Sequence, residues 1–290
     1  MIGTIVRTIS EFYYVDTGER VWKCKARGIF RKKELTPLAG DEVEMEITHE
    51  GDGEGVIREI LPRRNSFVRP AVANVDQFIV VTAAASPQPV PAVIDKFLVM
   101  AEGSDTDIVL CINKIDIAEG DIIERLRGIY EGIYPVCCVS GFSGEGIDEL
   151  KKRLPGRRTA MAGPSGVGKS TLLNCIDPSI KAETGDVSAK TKRGRHTTRH
   201  VEIFHLKEGG MLYDTPGFTS FDILEEEEDG LQYCYPEMRP YIGKCRYDNC
   251  RHLKEPQCVV RAAVDEGKIK ESRYASYVSQ MEEIKSRNRY

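Results

Sequence analysis

The sequence lacks several features that would place it in a specialised class of proteins. Its longest apolar run covers only residues 78–85, far fewer than a membrane-spanning helix requires. The N-terminus has no basic segment followed by an apolar one, so we expect no secretory signal. The net charge is −4, so the overall charge does not require a nucleic-acid partner. We expect a soluble cytoplasmic protein whose partners are recognised through local surfaces, with no membrane or DNA partner.

Tryptophan occurs once, whereas cysteine is abundant, with nine residues. Because no signal segment precedes the cysteines, free thiols and metal ligation are more consistent with the chain than disulfides. The 290 residues are too many for one small core, so two or three domains are expected. Five cysteines lie mostly within apolar runs and are interpreted as small buried hydrophobic residues: Cys24, Cys111, Cys137, Cys138 and Cys175.

A glycine-rich segment at residues 163–170 has the pattern of a phosphate-binding loop. The N–H groups of such a turn, at the start of a helix, donate to the β-phosphate of a nucleotide. We expect Lys169 to contact the β- and γ-phosphates and the Ser170 hydroxyl to ligate Mg²⁺. An apolar strand at residues 159–162 and a helix after the loop supply the required context. The expected binding residues are Gly163, Pro164, Ser165, Gly166, Val167, Gly168, Lys169, Ser170 and Thr171.

A second segment, at residues 211–217, completes the metal end of this site. It reads as a strand ending at Asp214, whose carboxylate can hold the Mg²⁺ shell, followed by Gly217, whose N–H faces the γ-phosphate. The sequence Asp-Thr-Pro-Gly alone is an ordinary turn, but its place downstream of the phosphate loop favours the nucleotide-binding interpretation. The next residue, Phe218, cannot orient an attacking water as the glutamine of many GTPases does.

The tetrapeptide 113–116 indicates that the base is guanine. The carboxylate of Asp116 can accept the N1–H and the 2-amino hydrogen of guanine, a pair that adenine does not offer. Asn113 would contact the N7/O6 side, and the Lys114 stem would lie along the ring and ribose. The apolar run 107–112 predicts a buried strand that ends at this loop. A second apolar run, 135–139, ends at Ser140 and Gly141, where a backbone N–H can donate to the guanine O6.

The order of these motifs is inverted, because the guanine-reading tetrapeptide precedes the phosphate loop. An ordinary GTPase has the reverse order. If both pieces build one pocket, the strand that ends at the γ-phosphate runs directly into the segment that follows it. In this sequence that segment contains a cluster of cysteine and histidine residues.

Together these motifs resemble the circularly permuted GTPases of small ribosomal subunit biogenesis (the RsgA family, also called YjeQ or YloQ). The resemblance also includes residues 63–70 at a domain junction and residues 194–198. It implies a small ribosomal subunit and its rRNA as partner, Thr197 or Thr198 as a further Mg²⁺ ligand, and slow GTP hydrolysis that the subunit stimulates. Arg199 stands where the family often has a third threonine, which leaves both threonines open.

The chain divides into three expected domains. Short alternating runs predict a small β-barrel at residues 1–65, which the resemblance makes an OB-fold. Strands alternating with helices at residues 91–102 and 121–130 predict an α/β nucleotide-binding domain at residues 66–223. Residues 224–290 form the third domain, and the acidic run 225–229 before its cysteines is either a hinge or a solvated helix face. The alternating runs of the barrel cover residues 4–7, 20–24, 41–47 and 55–60.

The third domain contains Cys245, Cys250, His252 and Cys258, a spacing that suits a closed tetrahedral Zn²⁺ site. Four protein ligands leave no open position, so we expect a structural metal; Cys234 is the alternative ligand. After the cluster, apolar residues at helical spacing predict an amphipathic helix that docks on a neighbouring surface. These residues are Tyr274, Tyr277, Val278, Met281 and Ile284.

Two basic segments are candidates for RNA contact. Residues 20–33 include seven Lys or Arg residues and no acid, with Trp22 and Phe30 as candidate stacking residues. Residues 190–195 lead into the threonines. Either segment could instead be an ordinary solvated surface.

The expected mechanism is in-line attack of water on the γ-phosphate of GTP, giving GDP. His196 is the candidate catalytic residue, beside Lys169 and Thr198, although it could equally contact RNA. We expect a monomer in which GTP favours the subunit-bound form. The alternatives are an RNA-binding module whose hydrolysis is incidental, a GTPase acting on another RNA, and an ATPase.

Overall fold

The computed structural model describes residues 1–28, 30, 35–68, 70–180, 201–214 and 227–287. They form two compact units, and each is described by itself. The first unit contains Met1–Gln77, Lys151–Met161 and Ser170–Phe218. The second unit contains Phe78–Leu150, Ala162–Lys169 and Thr219–Tyr290. Among the described residues, no helix combines the length and apolar character needed to cross a bilayer.

The first unit begins with a closed barrel of five strands. In chain order they are β1 (Ile2–Ile9), β2 (Phe12–Asp16), β3 (Val21–Ala26), β4 (Glu42–His49) and β5 (Glu54–Ile60). Closure results because β1 pairs with both β2 and β4, and β5 pairs with both β3 and β4. The expected N-terminal barrel is confirmed, and β2 is a strand that the sequence patterns had not indicated.

The barrel core corrects one expectation. Trp22 and Phe30 are each only 6% exposed and pack inside the barrel with Ile5, Val15 and Ile57. Strand β3 alternates, so Trp22 and Cys24 point inward while Lys23 and Lys25 lie on the other face. Neither aromatic side chain is therefore available to stack on RNA.

The rest of the first unit extends the sheet beyond the barrel. Strand β12 (Glu202–His205) pairs antiparallel with β1 and with β13 (Met211–Asp214). Strand β11 (Arg158–Ala162) runs parallel to β13. A hairpin of β6 (Ser66–Val68) and β7 (Ala71–Ala73) follows the barrel. At this junction Arg63 donates to both carboxylate oxygens of buried Asp41, over 2.7 and 2.8 Å.

The second unit contains a three-stranded sheet in the order β10, β9, β8. These strands are β8 (Gln77–Ala83), β9 (Asp107–Asn113) and β10 (Val136–Cys138), with β9 and β10 parallel. Helix α1 (Pro91–Glu102) follows β8, α2 (Ile122–Tyr130) follows β9, and α3 (Ile147–Lys151) follows β10. The sequence predicted α1 and α2 because strand and helix patterns alternate there. Three cysteines of β9 and β10 lie here, of which Cys111 and Cys137 are buried and Cys138 is half-buried.

The C-terminal part of the second unit packs around helix α6 (Glu271–Arg287), after two 3-10 turns and α5 (Val259–Asp265). The predicted amphipathic helix is present, since Tyr277, Met281 and Ile284 are fully buried. This core includes Val99 of α1, so the C-terminal part docks on the helix that follows β8.

A buried charge cluster fixes this docking. The guanidinium of Arg273, in α6, donates to Asp95 of α1 over 2.7 Å and to Glu237 over 2.7 and 3.2 Å. The side chains of Arg273 and Asp95 are fully buried. The ring of Tyr235 lies 4.6 Å from the Arg273 guanidinium, a cation–π contact. Burial raises the pKa of Asp95, and the adjacent guanidinium opposes that shift.

Replacing Arg273 should destabilise the second unit strongly. The variant Arg273→Met leaves Asp95 and Glu237 buried without their cation, which costs about 3–5 kcal/mol of unfolding free energy. The control Arg239→Met removes a half-exposed partner of Glu102 and should cost less than about 1 kcal/mol. Chemical denaturation of both variants measures the difference, and equal stabilities would show that the cluster does not hold α6 on α1.

Candidate nucleotide-binding site and metal-binding cluster

The predicted phosphate loop lies between β11 and helix α4 (Lys169–Ile176). Gly163 and Gly168 have φ values of 147° and 98°, which side-chain-bearing residues rarely adopt. A Cβ at Gly163 would lie 2.1 Å from the Val81 carbonyl oxygen, and one at Gly168 would lie 2.3 Å from Nδ2 of Asn113. Glycine is therefore required at both positions because the loop packs directly on β8 and on the Asn113 side chain.

Lys169 lies over this loop. Its Nζ donates to the carbonyl oxygens of Gly163, over 2.7 Å, and Pro164, over 2.8 Å. Burial lowers the pKa of Lys169 to about 8, because desolvation disfavours the charged ammonium. A phosphate anion in the loop would favour that charge, so the site suits an anionic ligand.

The Asn113 side chain joins three segments of the second unit. Its Nδ2 donates to the Val167 carbonyl oxygen over 2.8 Å, and its Oδ1 accepts from the Gly141 N–H over 3.0 Å. The residue is only 2% exposed. Asn113 therefore holds the phosphate loop and the Ser140–Gly141 loop against the end of β9. Sequence reasoning gave Asn113 a contact with the base and did not anticipate this internal role.

Lys114 reinforces the same junction. Its backbone is left-handed, with φ of 64°, and its Nζ donates to the carbonyl oxygens of Ser86 and Gly166. These two partners place the ammonium between the loop after β8 and the phosphate loop. The stem of Lys114 is thereby held in one conformation beside the expected position of the base.

Asp116 lies in the 3-10 turn Ile115–Ile117 that follows β9, where a base-reading carboxylate is expected. Its Oδ1 accepts a hydrogen bond of 2.6 Å from the Ser140 hydroxyl. The same hydroxyl oxygen accepts the N–H groups of Phe142 and Ser143, which fixes the turn. The structure therefore brings Asn113, Asp116 and Ser140 together in the unit that also carries Lys169.

Ser170 and Asp214, two of the residues expected to ligate Mg²⁺, lie in the first unit. Parallel pairing aligns Ala160 of β11 with Tyr213 of β13, so Asp214 directly follows the last paired residue at the end of β13. Burial and the neighbouring Glu202 carboxylate raise the pKa of Asp214. A divalent cation would relieve both effects, and Ser170 follows Lys169 in the first turn of α4, so these oxygen donors fit Mg²⁺. His196, Thr197, Thr198, Gly217 and Phe218 lie outside the described residues.

The four predicted metal ligands converge: the ligand atoms of Cys245, Cys250, His252 and Cys258 lie within 4.8 Å of one another. The His252 Nδ1 lies 3.6, 3.5 and 3.4 Å from the three sulfur atoms, and the Sγ atoms of Cys245 and Cys258 are 3.9 Å apart. Tetrahedral zinc with ordinary bond lengths would give about 3.6 Å for nitrogen–sulfur pairs and about 3.8 Å for sulfur–sulfur pairs. The cluster therefore has the size and donor set of a zinc site.

Neighbouring groups orient these ligands. The Nε2 of His252 lies 2.9 Å from Oε1 of Gln232, so Nε2 carries the proton and Nδ1 faces the sulfur atoms. Burial lowers the pKa of His252, which favours the neutral imidazole that metals bind. The Tyr274 hydroxyl donates to the His252 carbonyl oxygen over 2.7 Å. The alternative ligand Cys234 is not part of the cluster.

Acidic and basic residues flank the cluster as well. Glu228 and Asp229, from the acidic run, pair with Arg251, which lies beside His252. Burial of the Glu255 carboxylate would raise its pKa, but hydrogen bonds outweigh this effect and the pKa is lowered. The carboxylate accepts N–H groups from Arg251, Leu253 and Lys254. Part of the acidic run therefore contacts the metal-binding loop. Its first two residues lie outside the described residues.

Loss of a cluster ligand should lower the zinc content of the protein, whereas loss of the cysteine outside the cluster should not. We expect about one zinc per chain in the purified protein, and a loss of most of it in Cys250→Ser because one of four ligands is removed. The matched variant Cys234→Ser changes a buried cysteine outside the cluster and should retain the metal. Elemental analysis after dialysis measures both. Equal zinc contents in the two variants would contradict the assignment of Cys250.

Comparison with known proteins identifies the family to which the chain is related. Residues 2–57 match the RsgA N-terminal domain family and residues 60–224 match the RsgA GTPase family. The chain is 45% identical over 289 residues to the small ribosomal subunit biogenesis GTPase RsgA of Alkaliphilus metalliredigens (strain QYMF), covering 99% of each chain. A second relative of the same description, from Moorella thermoacetica, is 44% identical over 290 residues, covering 100% of this chain and 99% of the relative.

Two solved structures are similar over almost their whole lengths. YjeQ from Thermotoga maritima has a TM-score of 0.84 and 38% identity, covering 98% of each chain. YloQ, described as a circularly permuted GTPase, has a TM-score of 0.81 and 38% identity, covering 99% of this chain and 95% of that one. The inverted motif order is therefore that of a permuted GTPase fold, and the chain belongs to the RsgA GTPase family.

Proposed function

We propose that the protein binds the small ribosomal subunit and hydrolyses GTP to GDP and phosphate during late subunit maturation, with hydrolysis stimulated by the subunit. The main structural support for this proposal is the pair of hydrogen bonds made by the Asn113 side chain. They hold the base-reading loops on the phosphate loop within one unit. GTP hydrolysis follows from the family, and the relatives named for small-subunit biogenesis match the chain from end to end.

We propose the following roles for the site residues. Asp116 reads the guanine edge, and Lys169 neutralises charge that develops on the β- and γ-phosphates. Ser170 and Asp214 hold Mg²⁺, which supplies further charge neutralisation. Thr197 or Thr198 completes the metal shell. Gly141 donates to the base, and the remaining phosphate contacts come from residues 163–171 and Gly217.

Since Phe218 cannot orient the attacking water, His196 or a group of the subunit does so in our proposal. Asp214 and Gly217 sense the loss of the γ-phosphate after hydrolysis. The segment that follows Gly217 in the sequence leads into the C-terminal part of the second unit. GTP then favours the subunit-bound form and GDP the released form. We propose zinc for the C-terminal cluster, as a structural metal.

For RNA contact we propose the outer face of β1, β2 and β3. Phe12 lies between two ammonium groups there, with its ring centre 4.2 Å from Lys23 Nζ and 5.3 Å from Lys25 Nζ. The ring centre of Tyr14 lies 4.3 Å from the Arg7 guanidinium. Aromatic rings among cations on a barrel surface bind single-stranded RNA by stacking and charge. In our proposal this outer face contacts RNA in place of Trp22 and Phe30, which point into the barrel. Its partner is rRNA and not DNA.

We place a barrel domain at residues 1–65, a permuted GTPase domain at 66–223, and a zinc-binding domain with its C-terminal helix at 224–290. We further propose that the protein acts as a monomer and that it acts in the cytoplasm, where small-subunit assembly takes place.

Hydrolysis assayed with and without purified small subunits tests the function. We expect slow GTP turnover that rises at least about tenfold with subunits, and no comparable turnover of ATP. Lys169→Ala should abolish stimulated turnover, because a principal phosphate cation is lost. If this variant still supports subunit maturation, hydrolysis is incidental and the protein is an RNA-binding assembly module.

Subunit binding tests the barrel face. Phe12→Ala removes the ring between the two ammonium groups and should lower subunit affinity about tenfold. The control Thr48→Ala shortens an exposed side chain of β4, a strand outside the proposed face, and should leave subunit affinity unchanged. Equal affinities in the two variants would contradict the proposed RNA-binding face.

Replacing Asp116 should change the base preference of the protein from guanine to xanthine. In Asp116→Asn the amide cannot accept both hydrogens of guanine but can pair with the 2-oxo group of xanthine. We expect GTP affinity to fall about a hundredfold or more while XTP affinity rises, as measured by equilibrium binding. The control Asp121→Asn changes another exposed carboxylate of the same unit, and GTP affinity should not change. An Asp116→Asn protein with unchanged preference would place the base elsewhere.

A further inference from the structure

Phe142 is the most exposed large apolar side chain among the described residues, at 92%, compared with 58% for Ile2. Isolated apolar side chains are common on protein surfaces, so exposure alone assigns no role. The position of Phe142 is more informative, because this residue lies two residues after Ser140, the hydrogen-bond partner of Asp116.

The backbone of Phe142 is held in place beside that carboxylate. Its N–H donates to the Ser140 Oγ over 3.2 Å, and this hydroxyl donates to Asp116 over 2.6 Å. The turn is closed by two further bonds of 2.9 Å, from Gly144 N–H to the Ser140 carbonyl and from Ser140 N–H to the Glu145 carbonyl. A large ring is thus carried by a fixed turn next to the base-reading group, with its surface in solvent.

The ligand that fits this ring is a planar base. Asp116 binds guanine along its edge, in the plane of the purine, and such contacts leave the two faces of the base uncovered. Lys114 is held on the phosphate-loop side by Ser86 and Gly166, whereas Phe142 belongs to a different loop, after β10. A ring from that loop can cover a face of the base while the carboxylate holds its edge.

Charge around Phe142 disfavours RNA as the occupant. The same loop and the helix after it carry Glu145, Asp148 and Glu149, and no basic residue lies between positions 128 and 150. Phosphates of an RNA strand would be repelled there, while the phosphates of a bound nucleotide lie in the loop of Lys169. We propose that Phe142 is a base-stacking residue that covers the guanine of bound GTP or GDP, an inference that rests on the proposed base site at Asp116.

Equilibrium binding of GDP to the full-length protein tests the stacking. We expect Phe142→Ala to raise the GDP Kd about tenfold, the effect of losing one base–aromatic stack. Phe142→Trp should keep the wild-type Kd, and its added tryptophan emission should be quenched by GDP. The wild-type protein, whose single tryptophan Trp22 is buried in the barrel, gives the background emission.

The control Tyr233→Ala removes an exposed aromatic side chain elsewhere in the second unit and should leave the GDP Kd unchanged. An unchanged GDP Kd in Phe142→Ala, together with emission from the Phe142→Trp protein that GDP does not quench, would overturn the stacking. Unchanged GDP binding combined with weaker subunit binding would also overturn it and assign the ring to the subunit. Asp116→Asn separates the two proposals: if it weakens GDP binding while Phe142→Ala does not, only the stacking fails.

Discussion

The site depends on the paired hydrogen bonds of one buried amide. Asn113 ends β9, donates to the Val167 carbonyl of the phosphate loop and accepts the Gly141 N–H of the loop after β10. A carboxamide is suited to this position because it offers a donor and an acceptor on one planar group, whereas a carboxylate offers acceptors alone. Gly168 must lack a Cβ for the amide to reach its partners. Segments that lie far apart in the permuted sequence thereby become one site.

Lys114 extends this junction toward the C-terminal part of the unit. It holds the Ser86 carbonyl in the loop after β8, and that loop leads into α1, where Asp95 binds Arg273. A continuous set of contacts therefore runs from the phosphate loop through α1 to α6, the helix whose Tyr274 hydroxyl binds the His252 carbonyl oxygen of the metal cluster. In this docking a shift of α6 on α1 would leave Asp95 or Arg273 unpaired in the core, which is costly.

Local patterns predicted the parts of the protein whose chemistry is encoded in short segments. The phosphate loop, the tetrapeptide at 113–116 and the metal spacing each need fixed residue types within a few positions, so their locations were readable. Contacts between distant residues were not readable: no local pattern links Arg273 to Asp95, 178 residues earlier, and Gln232 lies 20 residues from the histidine it orients. The inward side of Trp22 is readable from its alternation with Lys23 and Lys25, whereas the basic composition of the segment alone favours an RNA-binding surface.

The docking of the C-terminal part on α1 also constrains how nucleotide state is communicated. GTP and GDP share the base, the ribose and the β-phosphate, so in our proposal the contacts at Asp116, Asn113 and Lys114 are common to both. A ligand shifts an equilibrium only through its differential affinity for the two states. The route through Lys114 and α1 therefore anchors the metal-binding part without distinguishing the nucleotides. In our proposal the discrimination must come from groups that contact the γ-phosphate. We propose Asp214 as such a group, and the permutation places it on the chain that leads into the metal-binding part. In this proposal the contacts through Lys114 and the chain after Asp214 are two separate connections to the metal-binding part.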